Sequence, residues 1–156
     1  PDIMKRPPRP TREPIINRFM VFGIVIQTIA ITTVVLIAYR IGQIRSPSNP
    51  AVAQTMAFLT LSASELARAY TARSERASLL RLGILSNQYM QYAVLVSIIL
   101  LLGAIYVPFL QPIFNTAPLG LREWQFILPL LLIPSLAAEI TKAFVRWRER
   151  ERTATA

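Results

Sequence analysis

The apolar residues gather in four long blocks rather than recurring at the period of 2 or 3.6 that marks a soluble strand or helix. The first block, residues 19–39, holds 21 residues without a charge. At about 1.5 Å of rise per residue, a helix of that length crosses a hydrocarbon core of about 30 Å. The second, residues 51–70, is less apolar and contains Glu65 and Arg68. The third, residues 89–109, reads YMQYAVLVSIILLLGAIYVPF and is the clearest span. The fourth, residues 124–144, opens on Trp124, an interfacial residue type, and contains Pro129 and Pro134, which predict a bend. The pattern predicts an all-α polytopic membrane protein with four transmembrane helices, at about 19–39, 51–70, 89–109 and 124–144.

The intervening segments read as loops. Residues 1–18 are Pro-rich and basic, and Pro7, Pro8, Pro10 and Pro14 forbid a continuous helix. Residues 40–50 read as a polar loop closed by Pro47 and Pro50, and residues 110–123 as another with Pro112, Pro118 and Gly120. Between the second and third blocks lies a basic loop with room for a short surface helix. Residues 149–156 read as a frayed tail beyond a membrane domain of 19–148. Lys and Arg number five in the lead, two in residues 40–50, three in the central loop, one in residues 110–123 and five toward the C-terminus. By the positive-inside rule the lead, central loop and tail are cytoplasmic, giving N-in/C-in. No internal repeat is legible.

Composition narrows the chemistry. The 53% hydrophobic content coexists with seventeen Lys/Arg against eight Asp/Glu, a formal charge of +9. The basic residues flank the apolar blocks, where they hold loops inside and meet anionic lipid, and no base-stacking motif accompanies them. The partners expected are the bilayer and other membrane helices, with no nucleic acid. Cysteine and histidine are both absent. Disulfides and Cys/His metal sites are therefore excluded, and any bound metal would be a hard cation on oxygen. No nucleophile–base pair, Gly-rich phosphate loop, DKTG or TGE occurs, so no catalytic residue and no cofactor site is assigned. The chain opens at Pro1 without an initiator Met or a signal-peptide layout, and is expected to be part of something longer.

Polar residues inside the blocks are the candidates for function. A carboxylate at the bilayer centre costs at least about 2.5 kcal/mol, so Glu65 needs a reason to be there. It shares a helical face with Phe58, Leu61, Ser62 and Arg68, in a stretch, SASELARA, whose small residues let other helices approach. Two readings stand open: an oxygen ligand or proton carrier, or the ion-pair partner of Arg68 three residues on. Arg68 can also snorkel to the interface. Gln27 is read as an interhelical hydrogen-bonding residue or an ion contact, and Glu139 with Lys142 as a structural i, i+3 pair. The Pro-rich lead is also readable as a PxxP ligand, a shaped loop being the preferred reading.

These residues carry a resemblance. DIMKRPPRPTREPIINR, with its pattern DIM-x-RPPR-x-x-x-EP-x-I, resembles the cytoplasmic loop between membrane helices six and seven of type II P-type cation ATPases. MAFLTLSASELARAYTARSERASL is similar to their eighth helix and the loop after it, IYVPFLQPIFNTAPLGLREW to the end of the ninth and the outer loop, and AAEITKAFVR to the end of the tenth. The likeness covers residues 2 to about 148 and fits the calcium-pump branch best.

The resemblance implies that the four spans are helices seven to ten of a ten-helix pump. It implies that Glu65 is a cation ligand, with Arg68, Gln27 and Ser62 as modulators. Arg68 departs from the family pattern, and a guanidinium there would occupy one cation position with a fixed charge. It also implies that the lead lies against the phosphorylation domain, Lys5, Arg6, Arg9 and Arg12 making the coupling contact. The transported cation is then Ca2+, with ATP and Mg2+ used by domains this chain lacks, in the plasma (inner) membrane. Alone, the chain is expected to have no ATPase activity. The alternative is a stand-alone, non-enzymatic four-helix scaffold or accessory subunit, distinguished by whether a DKTG lies upstream in the same reading frame.

Overall fold

The computed structural model describes residues 18–71 and 87–154. It is all-helical, with no strand among the described residues. The described residues form four long helices, α1 (Arg18–Arg45), α2 (Pro50–Thr71), α3 (Gln88–Tyr106) and α5 (Leu121–Ala154), with a single-turn α4 (Gln111–Phe114) between α3 and α5. The lead and the proposed surface helix of the central loop lie outside the described residues.

Local chemistry sets the helix ends. Pro50 opens α2, where its missing N–H costs nothing and its fixed φ is already helical. Asn87 caps α3 by accepting from the Met90 amide at 3.2 Å. Asn115 closes α4 in the left-handed region, φ 51°, which Asn tolerates better than most residues. Before α5, the Glu123 carboxylate accepts from the Gly120 amide at 2.8 Å.

Several boundaries depart from the sequence expectation. Residues 40–45 belong to α1 rather than to a loop, leaving only Ser46–Asn49 to turn the chain. Their side chains remain useful there: Arg40 donates to Gln43 at 3.0 Å, and Arg45 lies over the Phe126 ring at 4.9 Å. The third helix stops at Tyr106, before Pro108. The charged tail stays helical to Ala154, and α5 runs through both Pro129 and Pro134.

α1, α2 and α5 pack mutually, and α3 joins through a sparser contact with α2. The core is built from Val34 and Ala38 of α1, Met56 and Leu59 of α2, Ile105 of α3 and Ile127 of α5. Small residues permit the closest approach. A Cβ on Gly42 would lie 2.5 Å from the Ala53 Cα, so the α1–α2 crossing requires glycine at that position. Between α2 and α3 runs an apolar groove of about 420 Å³, lined by Leu59, Ala63, Leu66, Val94, Ile98 and Leu101 among others. Polar contacts bridge the same two helices where Tyr70 donates to Gln91 at 2.8 Å.

Among the described residues, three helices are long and apolar enough to cross a membrane: Met20–Arg45, Gln88–Tyr106 and Leu121–Phe144, with mean hydropathies of 2.4, 1.9 and 1.6. Only 11% of the α3 window is buried within the chain. So much outward apolar surface requires lipid or further helices to cover it. The fourth expected span, α2, is not among the three. Its 22 residues reach roughly 33 Å, which is long enough. However, they include Gln54, Thr55, Thr60, Ser62, Ser64, Glu65 and Arg68, and α2 is the helix most enclosed by its neighbours.

Candidate functional site

The turn count of α2 separates its polar side chains onto opposite faces. Toward α1 and α5 lie Ala53, Met56, Thr60 and Ser64, all buried. About half a turn away an open stripe runs Gln54, Phe58, Leu61, Glu65 and Arg68. The Glu65 side chain is 51% exposed and that of Arg68 43%, and Arg68 Nη1 stands 3.6 Å from Glu65 Oε1. The expected pair is therefore formed, at a distance and exposure that hold neither group rigidly. Ser62 is half-buried beside the stripe. Among the described residues no three acidic side chains converge. A hard cation of the calcium type takes six to eight oxygens.

Behind the stripe, Thr60 Oγ1 and Ser64 Oγ are buried with no hydrogen-bond partner among the described residues. Gln27 lies on the buried face of α1 at 8% exposure. No hydrogen bond joins its amide to another described residue. Lys5, Arg6, Arg9 and Arg12 lie outside the described residues.

Both ends of α2 are held by contacts that the sequence pattern does not reveal. At one end Thr55 Oγ1 donates to the Ala51 carbonyl at 2.7 Å and accepts from the Ala117 amide at 2.8 Å, while Asn115 donates to Gln54 at 2.8 Å. The same loop is tied to its flanking helices. Tyr106 donates to the Leu119 carbonyl at 2.8 Å and accepts from Trp124 Nε1 at 2.6 Å. At the other end Lys142 Nζ donates to the Thr71 carbonyl at 2.7 Å and to Glu139 Oε1 at 3.1 Å. The i, i+3 pair of Glu139 and Lys142 was legible from spacing; the bond to Thr71, 71 positions away, was not.

Residues 1–144 match the family described as "Cation transporting ATPase, C-terminus". A calcium-transporting ATPase of Bacillus subtilis is 37% identical over 134 residues, covering 86% of this chain and 15% of that protein. Calcium-transporting ATPase 1 of Bacillus cereus is 31% identical, covering 91% of this chain and 18% of its own length. The human calcium-transporting ATPase type 2C member 1 is 30% identical, with coverages of 96% and 16%. The chain thus spans less than a fifth of the length of these relatives. With an all-helical fold, apolar helices of membrane-crossing length and a family match over nearly the whole chain, it belongs to the cation-transporting ATPase C-terminal family, as the C-terminal region of a type II, calcium-type P-type ATPase.

Proposed function

We propose that this chain is the C-terminal membrane domain of a pump coupling ATP hydrolysis to Ca2+ transport, with Glu65 as its cation ligand. The observation that carries this reading is the isolation of Glu65 on the open stripe of α2, with no cationic partner other than Arg68 among the described residues. A carboxylate on an open face of a membrane helix is costly unless oxygens or cations from elsewhere complete its surroundings. The further ligands belong to helices outside this chain. Arg68 competes with the cation for the same carboxylate and lowers the charge the site presents. The packed face of α2 braces it against α1 and α5, so that the open face keeps a fixed position.

In this reading α2 is the fourth span. Its polar composition is acceptable in a membrane because Thr55, Thr60 and Ser64 are covered by protein rather than lipid. Both ends are cytoplasmic, and residues 1–18 couple the membrane domain to the phosphorylation domain through Lys5, Arg6, Arg9 and Arg12. The membrane is the plasma (inner) membrane.

The test is Glu65→Gln in the full-length pump, with phosphorylation from ATP followed as Ca2+ is varied. Loss of the ligand is expected to raise the half-saturating Ca2+ by about tenfold or more, equivalent to roughly 1.4 kcal/mol. An unchanged Ca2+ dependence sinks the assignment. For the topology, a cysteine at Ser48 is expected to react with an impermeant thiol reagent from outside, and one at Ser78 is not; the reverse pattern overturns it.

A further inference from the structure

Lys142 is the most enclosed charged side chain whose setting the structure describes in full. Its side chain is 10% exposed, whereas that of Glu139 is 28% exposed. An ammonium so enclosed is tolerated only where its donors are used and its charge is balanced. Glu139 supplies the balance at 3.1 Å, and the shorter bond, 2.7 Å, goes to a backbone carbonyl of another helix. Snorkelling does not describe this geometry, because the head group points at protein. The acceptor, Thr71, is the last residue of α2, where carbonyls lack an intrahelical amide partner and a cation also meets the negative end of the helix dipole. The adjacent residue, Thr141, lies beside Gly23 of α1, with its methyl 3.9 Å from where a Cβ would sit. One turn of α5 therefore meets both α1 and the end of α2.

Resting on the assignment of Glu65 above, we propose that Lys142 is a positioning residue for the cation site: it clasps the end of α2 and thereby fixes the height and rotation of Glu65. Glu65 lies six residues, roughly 9 Å along the axis, from the clasped carbonyl. At that end the α2–α5 bond is the charge-assisted one, and hydrogen bonds of this kind are the stronger class. Losing it frees the last turns of α2 to shift against α5, carrying the carboxylate with them. Glu139 keeps the ammonium aimed and neutral overall, so Lys142 acts through geometry rather than through its field at Glu65.

The test is made in the full-length pump, again with Ca2+-dependent phosphorylation from ATP. Lys142→Met is expected to raise the half-saturating Ca2+ by about three- to tenfold, the range for residues that act on a site through packing. A purely structural role would lower the amount of phosphorylated protein and leave half-saturation in place, which overturns the proposal. Lys142→Arg, which keeps a charged donor, is expected to recover at least half of the shift; an Arg variant no better than Met overturns the clasp. If Lys142→Met does not reach the membrane, Lys142→Gln, one bond shorter and uncharged, takes its place: a shift in the same direction supports the clasp and wild-type half-saturation overturns it. The two assignments fail separately. Wild-type behaviour of Glu65→Gln removes the ligand, whereas a shifted Glu65→Gln beside a wild-type Lys142→Met removes only the clasp.

Discussion

On the side of α2 that meets α1 and α5, Ala53, Met56, Thr60 and Ser64 are buried; on the other side Phe58, Leu61, Glu65 and Arg68 stand open. The two faces do not differ in the sense a soluble helix would lead one to expect. Hydroxyls lie inside with Met56 and Leu59, while Phe58 and Leu61 stand outside beside a carboxylate and a guanidinium. Small side chains on the packed face let backbones approach, as membrane helices require where lipid is as apolar as leucine. The open face carries Glu65 and Arg68, which face each other at 3.6 Å and stay accessible to further partners. Substitutions on the two faces should therefore have different readouts, stability for one and ion dependence for the other.

The largest expected effect is on the packed face. Gly42→Val places a Cβ against the Ala53 backbone, and the helices must separate, at a cost of about 3 kcal/mol or more. Thermal unfolding in detergent is expected to show a large fall in midpoint, and an unchanged midpoint would contradict the close crossing. Thr55→Val comes next. It strands the buried Ala117 amide and is expected to cost about 1–3 kcal/mol in the same measurement, while leaving Ca2+ dependence unaltered in the full pump.

On the open face the expected stability changes are smaller. Arg68→Ala is expected to alter stability by no more than about 0.5 kcal/mol. If the guanidinium fills a cation position, however, ions moved per ATP should rise. A wild-type ratio in transport assays would leave Arg68 only as a partner for Glu65. Leu61→Ala should be near neutral in this chain and measurably destabilising in the full-length protein, where neighbouring helices cover it. Equal effects in the two would mean that the stripe faces lipid.

Much of the fold was legible because membrane helices announce themselves by run length. Residues 19–39 and 89–109 gave their helices without reference to any partner, though not their ends. The extension of α1 to Arg45 depends on contacts such as Arg45 over Phe126, which lie far apart in sequence. α2 was the weakest block because hydropathy averages over residues without knowing which are enclosed; Thr60 and Ser64 count as polar though protein covers them. At the site, the pairing of Glu65 with Arg68 followed from spacing, since three residues is a local distance. The bonds Thr55–Ala117 and Lys142–Thr71 join residues 62 and 71 positions apart, and no local pattern encodes them.

The close crossing at Gly42 has a mechanical consequence. Where two backbones touch, helices can rotate about the contact but cannot slide through it, so once the Lys142–Thr71 bond is released Ala53 serves as a fulcrum and the rest of α2 as a lever arm. Glu65 lies twelve residues along that arm, roughly 18 Å from the pivot, so a tilt of about five degrees sweeps the carboxylate through roughly 1.6 Å. Metal–oxygen distances tolerate only about 0.2 Å. If Glu65 holds the cation as proposed, a rocking motion too small to disturb the packing at the pivot is therefore large enough to make or break a coordination bond at the far end.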